Sequence, residues 1–151
     1  MIYSDTSSFL SMLIERRHSR EINKTLILNK KKVVIWKLTD LELHCAMKSM
    51  VTNKEVEFSQ TSMTQALHEL HHKENINQVT RKVSVDLDQI FDFAIKLTDM
   101  KGFNSRSIDT IHVASAKAFK CTHFLSTDKN QRSLAKKEGF IILPEKIIED
   151  Q

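Results

Sequence analysis

Four acidic side chains stand at the ends of apolar runs that are far apart in the chain. Asp5 follows Met1-Ile2-Tyr3-Ser4, Glu42 follows Val33-Val34-Ile35-Trp36, Asp109 lies in Ser107-Ile108-Asp109-Thr110-Ile111-His112, and Asp128 follows Phe124-Leu125-Ser126-Thr127. Carboxylates at strand ends and first helical turns can meet only if their strands run parallel, because ligands of open parallel sheets gather beyond the carboxyl ends of the strands. Carboxylates that meet repel one another unless a divalent cation neutralises them. Hard oxygen donors of this kind suit Mg²⁺ or Mn²⁺, ions that keep several waters while bridging to phosphates. A metal-bound water attacking a phosphodiester is the reaction such a pocket would serve, so hydrolysis of nucleic acid is the chemistry expected. Taken singly, each acid also reads as an ordinary helix-start carboxylate, favoured there by capping and by the helix dipole.

The elements that must position these acids alternate between two periodicities. Met1 to Ser4 is a short strand, and Asp5-Thr6-Ser7 supplies oxygens to cap a helix carrying Phe9, Leu10, Met12, Leu13 and Ile14. Ile22, Leu26 and Ile27 mark a second helix, and Val33-Val34-Ile35-Trp36 is a β-branched run typical of a buried strand. Thr39 with Glu42 three positions on forms a capping-box signature for the next helix, followed by another from Ser59 to Glu74. A weaker strand is expected within Gln78 to Val85, then a helix opened by Asp86-Leu87-Asp88 and broken at Gly102. Ser107 caps a helix through Ala118, Thr122 to Ser126 is a strand, Asp128 to Glu138 a helix stopped by Gly139, and Phe140 to Leu143 the last strand. Strands alternating with helices predict an α/β fold, a parallel sheet covered on both faces.

Composition narrows the class. With 151 residues, 40% apolar and 28% charged, the chain is expected to form one globular domain spanning 1–151. Two glycines and one proline are too few for an all-β fold rich in tight turns. A net charge of +4 is compatible with a polyanionic partner and does not demand one. Cys45 and Cys121 lack the paired spacing of a zinc knuckle, no secretory signal precedes Asp5, and no apolar run is long enough to span a membrane, so a cytoplasmic protein is expected.

Ile2-Tyr3-Ser4-Asp5-Thr6-Ser7, Leu38-Thr39-Asp40-Leu41-Glu42-Leu43, Ser107 to Ala116 and Phe124-Leu125-Ser126-Thr127-Asp128-Lys129, taken in order, resemble the four landmarks of PIN-domain ribonucleases. The resemblance covers nearly the whole chain and is strongest from Ser107 to Leu143. In length the chain is similar to VapC-like toxins of toxin–antitoxin pairs. That resemblance implies a PIN-like three-layer α/β/α domain with a central parallel sheet of four to five strands. It further implies an Mg²⁺- or Mn²⁺-dependent endoribonuclease acting on structured RNA such as tRNA, a homodimer, and inhibition by a small antitoxin. Asp5, Glu42 and Asp109 would be the primary metal ligands with Asp128 completing the site, although Asp40, two positions before Glu42, is an alternative to it.

Several side groups are open to two readings. Thr6 and Thr127 are caps or groups that orient a carboxylate, and His112, three residues after Asp109, is a packed histidine or a base. Arg106, Lys129 and Arg132 flank the acids and are the first candidates for RNA contact. Two rival functions follow from other features: a non-catalytic PIN-like module whose acidic pocket binds a basic peptide, and a zinc metalloprotease through His68-Glu69-Leu70-His71-His72. Against the protease, Lys73 and Glu74 follow immediately and no third ligand stands at a suitable spacing.

Overall fold

The computed structural model describes residues 1–53, 58–99 and 106–147. In chain order its elements are β1 (Ile2–Ser4), α1 (Thr6–Leu13), α2 (Ser19–Asn29), β2 (Val33–Trp36), α3 (Lys37–Thr52), α4 (Gln60–Asn75), β3 (Val79–Lys82), α5 (Leu87–Thr98), α6 (Ser107–Ala118), β4 (His123–Leu125), α7 (Lys129–Lys137) and β5 (Ile141–Leu143). All five strands pair parallel in the order β3-β2-β1-β4-β5, the arrangement expected when each strand is followed by a helical crossover. Gly102, expected to end the α5 pattern, lies outside the described residues.

Period-two alternation divides the strand residues between two apolar layers. Ile2, Val33, Ile35, Leu125 and Leu143 face a cluster with Phe9, Leu10, Ile22, Leu43, Met47 and Leu70, built by α1 to α4. Tyr3, Val34, Trp36 and Phe124 face the other way, onto Ile90, Leu97, Val113, Phe119 and Leu134 of the later segments. Both sides of the sheet are therefore covered, giving three layers, and the three central strands β1, β2 and β4 are short and wholly buried.

The chain builds outward from β1 through β2 to β3 and then returns to lay β4 on the free side of β1. Strand order thus reverses between β1 and β4, and at such a reversal the connections leave in opposite directions and open a crevice. The ladder runs one residue past both strands: the Asp5 N–H bonds the Leu125 carbonyl at 3.0 Å, and the Ser126 N–H bonds Leu143 at 3.0 Å.

Three expected boundaries move. The Thr39 capping box does not form, because β2 runs straight into α3 with Trp36 as the N-cap residue; Thr39 is buried inside the first turn and its hydroxyl has no partner among the described residues. Ser107 is the first helical residue of α6, not its cap, since Arg106 takes the N-cap position. The weak strand is confined to Val79–Lys82 on the sheet edge. The Ser59 cap of α4, the Asp86 cap of α5 and the Asp128 cap of α7 are present with their side-chain bonds.

Gly139 follows α7 with φ of 86°, and a methyl group there would meet nothing within 4 Å. Gly139→Ala should therefore cost only the left-handed backbone strain, about 1 kcal/mol. Phe124→Ala, which empties a fully buried site stacked on Tyr3, should cost about 3–5 kcal/mol. Urea unfolding midpoints check both, and equal losses would contradict the assignment.

Candidate active site

Each acid reaches the crevice by a different local device. Asp5 is the N-cap of α1: its Oδ1 accepts the Ser8 N–H at 2.7 Å and the Ser7 hydroxyl at 3.2 Å. Its other oxygen accepts the Ser126 hydroxyl at 2.5 Å, from the strand laid beside β1. Ser126 in turn accepts the Asp128 N–H at 3.0 Å, and Asp128 caps α7 through the Gln131 N–H at 2.9 Å. The Gln131 amide then donates to Asp109 Oδ1 at 3.0 Å. A continuous run of hydrogen bonds therefore links Asp5, Ser126, Asp128, Gln131 and Asp109 across β1, β4, α7 and α6.

Glu42 joins from α3. The Thr6 hydroxyl donates to its Oε2 at 2.6 Å, and His112 Nε2 lies 2.8 Å from the same oxygen. Asp40 faces elsewhere, paired with Arg81 of β3, which also holds Glu74 of α4 at 2.9 Å. That separation settles which α3 carboxylate stands in the crevice: it is Glu42. Thr6 orients a carboxylate and is not the helix cap, a role taken by Asp5. His112 is a buried, doubly bonded histidine, with Tyr3 on Nδ1 at 2.8 Å.

Burial sets the charge balance. Asp5 is sealed from solvent, and desolvation holds its carboxyl above the ordinary value although Ser126, His112 and the Ser8 N–H pull it down. Burial also raises Glu42, but the hydrogen bond and charge of His112 together with Thr6 outweigh it, and its carboxyl ends below the ordinary value. Asp109 is 1% exposed and Arg106 lies over it, Nε to Oδ2 3.3 Å, while the same guanidinium reaches Asp128 at 3.8 Å. Arg106 itself is 74% exposed, so this pairing is weakly held.

Ser126, Gln131 and Tyr3 were not among the candidates read from sequence. Serine and glutamine carry no periodic signal, and the only hint was that Ser126 precedes Asp128 by two residues, the spacing of a side chain turned back on its own backbone. Gln131 stands out for another reason. Facing Asp109 with its NH₂ leaves its amide oxygen buried with no partner among the described residues, a state that costs about 1–3 kcal/mol.

Of the cations expected to touch RNA, Arg106 covers two of the acids and Lys129 is exposed at the start of α7. Arg132 is directed inward, donating to the carbonyls of Ser126 at 2.9 Å, Leu143 at 3.3 Å and Glu145 at 3.4 Å. Lys30, Lys31, Lys32 and Lys73 line a separate cavity of about 680 Å³ at the amino end of β2, the opposite end of the sheet from the acids. The three histidines of the His68-to-His72 motif are exposed: Glu69 pairs with Lys73, His71 with Glu74, and Ala66 and Leu70 carry the helix's buried face.

The donor set has the chemistry of a hard divalent cation: carboxylate oxygens, one burial-strained carboxyl at Asp5, and an unpartnered amide oxygen at Gln131. Among the described residues, no three aspartate, glutamate, histidine or cysteine groups stand close enough together to hold an ion in this arrangement. Glu42 is turned to Thr6 and His112, Asp128 caps α7, and Arg106 lies between Asp109 and Asp128. Loading an ion would require the exposed Arg106 to swing off and a carboxylate oxygen to rotate inward.

This fold belongs to a known class, for the PIN domain pattern matches residues 2–137. The chain is a member of the PIN domain family. By sequence, no curated protein matches it. Solved structures of similar shape include the Mycobacterium tuberculosis toxin VapC20, titled a sarcin-ricin loop cleaving toxin, at 12% identity, TM-score 0.61, covering 93% of this chain and 97% of that one. FitAcB of Neisseria gonorrhoeae aligns at 14% identity and TM-score 0.59 over 94% and 96% of the two chains. PAE2754 of Pyrobaculum aerophilum aligns at 15% and 0.58 over 94% and 83%.

The opposed shifts of Asp5 and Glu42 give a test by stability in the absence of metal. A carboxyl held above its ordinary value binds more protons folded than unfolded, so Asp5 makes the fold lose stability as pH rises from the ordinary aspartate range through its raised value. Glu42 has the opposite sign, contributing stability above the ordinary glutamate range and losing it as pH falls through its lowered value. Asp5→Asn should therefore raise the melting temperature of the metal-free protein at neutral pH and Glu42→Gln should lower it, as scanning calorimetry would record.

Proposed function

We propose that the chain is a metal-dependent endoribonuclease hydrolysing RNA phosphodiester bonds, and that it is the toxin of a type II toxin–antitoxin pair. The observation that carries this reading is the sealed Asp5 carboxyl, kept above its ordinary value at a sheet reversal and linked through Ser126, Asp128 and Gln131 to Asp109, with Glu42 held beside it by Thr6 and His112. PIN domains are a nuclease family, and a neighbour in shape, VapC20, is a sarcin-ricin loop cleaving toxin, which supports the same reading. Asp5, Glu42, Asp109 and Asp128 are the proposed ligands of Mg²⁺ or Mn²⁺ and the catalytic acids, with Gln131 beside them. A bound ion of this kind supplies a polarised phosphoryl oxygen and a more acidic water.

The chain's own residues do the remaining work. Ser126 and the Ser8 N–H fix both oxygens of Asp5, and Gln131 fixes Asp109, so the two buried carboxylates are preorganised. Arg106 covers Asp109 and Asp128 until displaced, and from the crevice rim it can then meet a phosphate, with Lys129 as a second contact. The proposal includes a homodimer, a small antitoxin partner and a cytoplasmic setting for one domain over 1–151. Leu87, Phe91 and Ile95, four residues apart on α5, are exposed and offer an apolar stripe that such association would cover. No helix among the described residues is long and apolar enough to cross a membrane.

Arg106 also gives the second reading its observation. A guanidinium already resting on Asp109 and Asp128 supports a non-catalytic module whose pocket engages a basic partner peptide. The two readings part in one assay. Antitoxin-free protein incubated with total and transfer RNA plus Mn²⁺ or Mg²⁺ should give discrete products that EDTA abolishes. The Asp5→Asn, Asp109→Asn double variant should lose roughly a hundredfold or more of that activity. Intact RNA with folded protein would reject the nuclease and favour the binding module.

A further inference from the structure

We infer that Tyr3 and His112 are positioning residues that hold Glu42 by one carboxylate oxygen and leave the other for the ligand of the crevice, a role that rests on the cation-dependent reading above. The line of donors begins at Trp36. Its indole N–H can only donate, and it does so to the Tyr3 hydroxyl at 3.1 Å. His112 Nδ1 lies 2.8 Å from the phenol oxygen, and in the relay it receives the phenol's single proton. Ser115 also lies beside Tyr3; its hydroxyl gives its proton to the Ile111 carbonyl at 2.7 Å, so it is not a donor to the phenol.

An accepting Nδ1 places the hydrogen of the neutral ring on Nε2, and a charged ring carries one there as well. The atom facing Glu42 is therefore a donor in either state, 2.8 Å from Oε2. Thr6 donates to the same oxygen at 2.6 Å. Oε2 thus has two donors, whereas Oε1 has no hydrogen-bond partner among the described residues. Tyr3 is fully buried and His112 1% exposed, so solvent cannot replace either member of the relay. Glu42, by contrast, is 28% exposed, and it is where the buried line of donors reaches the crevice.

The experiment uses the full antitoxin-free chain with two readouts. Imidazole ¹⁵N shifts of the metal-free protein, with His112 assigned by its loss in His112→Gln, should show hydrogen on Nε2 and an accepting Nδ1; hydrogen on Nδ1 alone overturns the relay. Mn²⁺ titration by calorimetry should show His112→Ala about tenfold weaker than the parent, with His112→Gln recovering to within about threefold. Glutamine restores affinity because its oxygen can accept from Tyr3 while its NH₂ donates to Glu42. A His112→Gln no better than His112→Ala, or a folded His112→Ala that binds like the parent, overturns the proposal. If His112→Ala does not fold, Tyr3→Phe decides, since unchanged affinity with an unchanged tautomer also overturns it. A parent protein that binds neither Mn²⁺ nor Mg²⁺ rejects the cation reading itself, and the tautomer and its response to Tyr3→Phe then decide the relay.

Discussion

The crevice depends on one contact, the parallel pairing of β1 with β4. Ile2, Tyr3 and Ser4 stand opposite His123, Phe124 and Leu125, two strands separated by about 120 residues of chain, and nothing local enforces that register. What enforces it is the sheet's two-sided burial, because a slip of β4 by one residue would turn Phe124 out of the layer it shares with Tyr3 and bring Leu125 into it. Once the register is set, Asp5 and Ser126 are the next residues on adjacent strands, and their bond follows without further adjustment. The order reversal at this pair sends α1 and α7 away from each other, so both helices present their first turns to the same gap.

The acids in that gap are not equivalent, and the difference is one of solvent and donors rather than of residue type. Asp5 has three donors and is still dominated by desolvation, because it is completely closed off. Glu42 has two donors on a single oxygen, one of them an imidazole, and partial exposure leaves those donors in control. Of these two, the deeper carboxyl is thus the less content as an anion and the shallower the more content. A cation settling beside Asp5 would offset that desolvation, while Glu42 would be ready to meet it in its charged form.

Much of this was legible in the chain before any coordinates. The strand at Val33–Trp36, the caps at Asp5, Ser59, Asp86 and Asp128 and the parallel architecture each follow from a local rule, and each is present. The capping box at Thr39 failed because its signature assumes a linker between strand and helix, and here the strand enters the helix directly. Glu42 and Asp40 were indistinguishable on paper because they are two residues apart in a helix, and only the position of β3, which supplies Arg81 to Asp40, separates them. Ser126 and Gln131 were invisible for a related reason: their importance lies in what stands opposite them in space, Asp5 across the β1 and β4 pairing for Ser126 and Asp109 across the packing of α6 on α7 for Gln131.

The polar line through the second apolar layer follows from the same burial. Tyr3 stacks on Phe124 with ring centres 5.6 Å apart and meets His112 edge-on, while Trp36 sits edge-on to Phe119. Three rings with polar atoms packed into one dry layer must satisfy those atoms on each other, since an unpaired buried donor or acceptor is costly. Indole to phenol to imidazole is a line that does so, and it ends in a donor that needs an acceptor. Glu42 is that acceptor, so the orientation of a carboxylate at the crevice is a consequence of how aromatic residues pack several residues below it. Packing and site are in this sense one structure: the layer that stabilises the sheet also aims the side chain that lines its edge.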